Sequence, residues 1–76
     1  MIMRKCEQIL YMQTRIMQIA SERWNIPINQ TSLLFRQYGI AEMIEENFEL
    51  YHTEGDEAIY ADIVTLLKNK GADIHD

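Results

Sequence analysis

The side chains best placed to do chemistry lie in the second half of the chain. His52 precedes an acidic turn carrying Glu54, Asp56 and Glu57, and an imidazole beside carboxylates can act as a general base. A histidine ending a helix can equally donate to the last free carbonyls or cap the chain locally. That helix-end role outweighs the catalytic one, because no Ser, Cys or second His stands where a nucleophile–base pair can be argued. The expectation is a protein without enzymatic activity.

Glu42, Glu45, Glu46 and Glu49 recur at i, i+3, i+4 and i+7 and so share one helical face. Like charges at this spacing cost a few tenths of a kcal/mol per pair. Such a face is most often simply solvated, but it also suits a basic protein partner. With His52 and Glu54, these four glutamates form the candidate partner-binding set. A calcium loop needs alternating Asp/Asn ligands closed by Gly, a pattern missing here. The one cysteine, Cys6, has no partner for a disulfide or a zinc site. No metal and no cofactor are therefore expected, and Cys6, on an apolar helix face, reads as a buried inert thiol.

The charge distribution narrows the partner. Net charge is −5, but in residues 1–36 five basic residues face two acids (+3), whereas in residues 37–76 two lysines face ten acids (−8). No Lys or Arg occurs in residues 37–67, so a charged partner of that region should be cationic. Two short helices around Gly39 have the outline of a helix-turn-helix, yet the second would bring four glutamates to the phosphates. The basic residues of the first helix are spread around its wheel rather than gathered in a stripe. Nucleic acid is not an expected partner.

The elements that position these residues follow from spacing and breakers. With 76 residues, 47% hydrophobic and 25% charged, the chain suits one globular domain with a small core, for which self-association is a ready source of extra stability. Residues 3–24 hold no Gly or Pro; Ile2, Cys6, Ile9, Leu10, Ile16, Met17, Ala20 and Trp24 fall on one side, with Met12 and Ile19 widening the apolar arc. The spacing predicts a long helix touching more than one neighbour. Asn25 and Pro27 end it, and Asn29 can cap a second helix over residues 30–38 with Leu34, Phe35 and Tyr38 inward and Gly39 after it.

A third helix is expected over residues 40–51, with Ile40, Met43, Ile44, Phe48, Leu50 and Tyr51 on its apolar arc. Asn47 falls inside that arc and wants a polar partner, within the fold or across a dimer. Thr53 or Asp56 can cap a fourth helix over residues 57–70, which buries Ile59, Ile63, Leu66 and Leu67 and stops at Gly71. Residues 72–76 have no evident anchor and should fray. The fold class is all-α, a compact bundle of about four helices in a single domain over residues 1–76. Trp24 and the five methionines suit either core or interface, with core the simpler reading. No run has the length of a signal peptide's apolar block or of a membrane span, and the lone cysteine suits a reducing compartment, so a cytoplasmic protein without membrane contact is expected.

The order and spacing of several segments resemble a family of short bacterial proteins known as the domain of unknown function 3791. They are Arg15-Ile16-Met17, Arg23-Trp24-Asn25-Ile26, Leu34-Phe35-Arg36-Gln37-Tyr38-Gly39-Ile40, Ile44-Glu45-Glu46, Tyr51-His52, Gly55-Asp56-Glu57-Ala58-Ile59, Asp62-Ile63 and Leu67-Lys68-Asn69-Lys70-Gly71. The resemblance implies a stand-alone helical domain without an assigned activity or cofactor. It also implies a pairing with small proteins similar to ADP-ribosyltransferases, as in a toxin–antitoxin or other two-component arrangement. It supplies no functional residues to carry across. The leading expectation is a non-enzymatic protein-interaction module, antitoxin-like or regulatory, that binds a basic protein. The alternative is a homo-oligomer, such as a homodimer joined through the first helix, with no charged partner. A DNA-binding autoregulator comes last.

Overall fold

The uninterrupted helical spacing at the start of the chain gives α1, Lys5–Trp24, in a computed structural model that describes residues 3–74. Ile2, assigned above to the apolar side, and the last two residues of the expected tail lie outside the described residues. Asn25 ends α1 in the left-handed conformation (φ 55°), and the Ile26 amide reaches back to the Ser21 carbonyl at 3.2 Å. Ser21 Oγ donates to the Ile26 carbonyl at 2.7 Å, which fixes the turn. Asn25 thus ends the helix two residues before Pro27.

Pro27 itself starts α2, Ile28–Gln37, from an extended conformation, so the helix begins two residues before the expected position and Asn29 does not cap it. Its buried face carries Phe35 and also Thr31, whose hydroxyl donates to the Pro27 carbonyl at 3.2 Å. Bonding to its own turn lets a polar side chain sit in the core. Gly39, at φ 67°, makes the corner into α3, Ile40–Glu46.

The expected third helix is broken. Asn47 leaves helical geometry (φ −106°, ψ 18°), and both its amide and its Nδ2 donate to the Met43 carbonyl, at 3.0 and 2.9 Å. The polar side chain is satisfied locally and exposed, so it does not sit among apolar neighbours as the wheel suggested. The chain restarts as the short α4, Phe48–Tyr51, with Phe48 and Tyr51 buried and Leu50 left 58% exposed. α5, Asp56–Asn69, follows a turn in which Thr53 Oγ1 donates backwards to Leu50. Neither Thr53 nor Asp56 caps it; Gly55 occupies that position without a side-chain bond.

These five helices, among the described residues, form an all-α bundle with α1 packed on α2, α3 and α5. The core joins Ile16, Ala20 and Trp24 of α1 to Phe35, Ile40, Ile44, Tyr51, Ile59, Tyr60, Ile63, Val64 and Leu67. Trp24 is core: it meets Phe35 edge-on at 6.4 Å and Tyr60 at 6.2 Å, and its buried Nε1 has no hydrogen-bond partner among the described residues. Gly71 (φ 80°) ends the last helix, after which the Ala72 amide bonds Leu67 at 2.9 Å. Ala72 and Ile74 pack on the core, which gives the tail an anchor its sequence did not reveal.

Two expectations for α1 fail for one reason. Cys6 is exposed and Leu10 is 62% exposed, although both lie on the apolar arc. In residues 5–14 of α1 no side chain is fully buried, so the apolar arc of these first turns has no closely packed neighbour over it.

Candidate functional site

The outlying turns of α1 and the α4–α5 corner enclose a cleft of about 240 Å³. One wall is α1, with Gln8, Tyr11, Met12 and Arg15; the other is Phe48, Tyr51, His52, Glu54 and Asp56, with Ile59 contributing from α5. Helical spacing places Gln8, Tyr11, Met12 and Arg15 on the same side of α1. The corner supplies the rest because α4 ends after a single turn, so His52 and Glu54 stand at its mouth rather than along a longer helix.

Cations of α1 fasten this region. Arg15 bonds the Asp56 carboxylate and lies 5.4 Å from the Tyr11 ring. Lys5 pairs with Glu49 at 2.8 Å and stands 6.0 Å from the Phe48 ring. Outside the cleft, Arg23 bonds Glu57 and lies 4.6 Å from the Tyr60 ring. In all three places a carboxylate and an aromatic face share one cation. The hydrogen bond from Lys5, and then its charge, hold the Glu49 carboxyl below the usual carboxylate range; Arg23 does the same for Glu57. Gln13 Nε2 adds a 2.8 Å bond to the Ala41 carbonyl, tying α1 to α3.

Tyr51 sits at the base of the cleft and donates to Asp62 at 3.2 Å. Burial pushes its phenol up to about 12, and the negative charges of Asp62 and Glu54 push in the same direction. His52 and Glu54 share the cleft, as a catalytic reading requires, but Asp56 is bonded to Arg15. The imidazole makes no hydrogen bond among the described residues; it lies on the Phe48 ring, 5.3 Å between centroids. The helix-end bond expected of it is replaced by ring packing.

The six candidate partner-binding residues therefore separate into three environments. Glu42, Glu45 and Glu46 are exposed on α3 with no ion pair among the described residues. Glu49 does not belong to an open acidic face, because Lys5 neutralises it. His52 and Glu54 belong to the cleft. The expectation that residues 37–67 would look outside the chain for cations is corrected in part: α1 supplies them to Glu49, Asp56 and Glu57. Tyr11, Arg15, Phe48 and Tyr51 were not singled out from sequence as site residues. The i, i+4 pair of Tyr11 and Arg15 is the one local signal that could have marked them.

Among the described residues no group of three or more potential metal ligands comes together, and no helix is long and apolar enough to cross a membrane. No curated protein and no solved structure matches the chain. The model of the family described as protein of unknown function DUF3791 matches residues 11–70, from the aromatic residue of the α1 wall to the end of α5. With most of its length covered, and with the helical fold in agreement, the chain belongs to the DUF3791 family.

Proposed function

We infer that this protein is a non-enzymatic interaction module whose α3 face binds a basic protein. The observation that carries this reading is the contrast among its carboxylates. Glu49, Asp56 and Glu57 each meet a cation from α1, whereas Glu42, Glu45 and Glu46 stand exposed within about 100° of arc with no internal cation. Their mutual repulsion is unrelieved within the fold, and a cationic surface would relieve it while steering association. A partner similar to an ADP-ribosyltransferase, as the family resemblance implies, would be suitable in charge, since a site that grips dinucleotide phosphates presents cationic groups. An antitoxin-like or regulatory role is the finer form of this proposal.

The test is charge reversal on α3. The tagged chain should retain a basic protein from its host's extract, and the triple variant Glu42→Lys, Glu45→Lys, Glu46→Lys should lose it with an unchanged circular dichroism spectrum. Equal retention by the variant rejects the reading. A second reading, self-association through α1, draws on the exposure of Leu10 and Tyr11 in its first turns and of Met3 just before it. Light scattering that gives a monomer at every concentration removes it.

A further inference from the structure

Each cation of α1 described above has the same seat: Lys5 on Phe48 and Glu49, Arg15 on Tyr11 and Asp56, Arg23 on Tyr60 and Glu57. The cleft holds the components of one more such seat. The exposed His52 ring and the Glu54 carboxylate line it above the buried Tyr51, and Glu54 is itself exposed with no ion pair among the described residues. Asp62, which accepts the Tyr51 hydroxyl, adds a further carboxylate next to this wall. We propose that this cleft seats one arginine side chain of the basic partner, its guanidinium lying against the exposed His52 ring and the Glu54 carboxylate.

The chemistry of the walls selects this occupant. An anion would meet Glu54 and Asp56, with Arg15 already bonded to the latter. A purely apolar side chain would strip water from Glu54, His52 and Gln8 without returning a hydrogen bond. A guanidinium offers a flat face to the His52 ring and donors to the carboxylate at once, and it keeps its charge when partly desolvated. Met12 and Ile59 suit the aliphatic stem.

The proposal deepens the reading of the molecule as a binder of basic proteins, and its test separates the two. The isotopically labelled full chain is titrated with an acetylated and amidated Gly-Arg-Gly peptide and, in parallel, with the same peptide carrying citrulline, which keeps the shape and removes the charge. Amide shifts should gather at residues 51–56 and 11–15 with arginine and be nearly absent with citrulline. Glu54→Gln should weaken the arginine titration by about threefold to tenfold, the range expected for losing one partly exposed charge pair. Glu42→Gln should leave it unchanged. Equal shifts from both peptides, no weakening in Glu54→Gln, or no shift at all overturns the seat. Arginine-dependent shifts confined to α3 also overturn it but leave the basic-partner reading standing. That reading falls only by the charge-reversal experiment on α3.

Discussion

The two halves of α1 carry the same helical spacing of apolar residues and fare differently. In residues 15–24, Ile16, Ala20 and Trp24 are buried to 3% exposure or less. In residues 5–14 no side chain is fully buried, and Leu10 and Tyr11 are 62% and 57% exposed. Periodicity identifies which side of a helix is apolar, but burial needs a surface opposite that side. The C-terminal half supplies the α1 share of the core, Ile16, Ala20 and Trp24, whereas the N-terminal half meets the rest of the fold through Lys5, the half-buried Met12, Gln13 and the cleft wall. One half builds the fold, and the other presents side chains to whatever approaches the cleft.

The sharpest way to break that comparison is to truncate both halves. Trp24→Ala or Ile16→Ala should destabilise the protein by about 2 to 5 kcal/mol in urea unfolding, through lost burial and an unfilled cavity. Leu10→Ala should stay within about 0.5 kcal/mol. A large loss at Leu10 would mean that the outer half is buried in solution, as a dimer through α1 requires.

Tyr51, where the cleft meets the core, gives the next effect. Its folded pKa of about 12 exceeds the ordinary phenol value of 10, so the unfolded chain releases this proton first. Stability from this group is complete below pH 10 and is lost as pH rises towards 12, by something on the order of 2 kcal/mol. Tyr51→Phe should flatten the alkaline fall measured by urea midpoints across that interval. An identical pH profile in the variant would place the hydroxyl in ordinary solvent, detached from Asp62.

Smaller again is the tie between α1, at the junction of its halves, and the start of α5. A double-mutant cycle on Arg15→Met and Asp56→Asn should return a coupling of about 0.5 to 1 kcal/mol, as for a partly exposed ion pair. The coupling should shrink in added salt. A coupling of zero would leave the cleft wall without this fastening.

What the sequence revealed of this molecule tracks the range of the interaction concerned. Helix ends set by one or two residues were legible: the left-handed Asn25, the corner at Gly39 and the stop at Gly71 all occur where their backbone preferences put them. The break at Asn47 was not, because a wheel assumes an unbroken helix and cannot weigh a side chain that bonds its own preceding turn. The cleft was harder still. Arg15 and Asp56 lie 41 positions apart, Arg23 and Glu57 lie 34 apart, and nothing local to any of these residues announces its partner. The acidic run on α3 was visible, whereas the neutralisation of Glu49 by Lys5 depended on where α1 comes to rest.

Cys6 carries the smallest expected change in stability and still discriminates between the halves. On the apolar arc it should be a buried thiol, inert until the chain unfolds, if the whole of α1 were packed alike. Its exposure in the structure predicts the opposite. A thiol-specific reagent should modify Cys6 in the native protein without denaturant. Cys6→Ser should change the unfolding free energy by no more than about 0.5 kcal/mol, since a polar atom at an exposed position removes no packing. Slow labelling that accelerates on dilution would show that two outer halves cover one another at high concentration. Slow labelling at every concentration would mean that the N-terminal turns lie against the body, and the distinction between a packed and a presenting half of α1 would fail at its first residues.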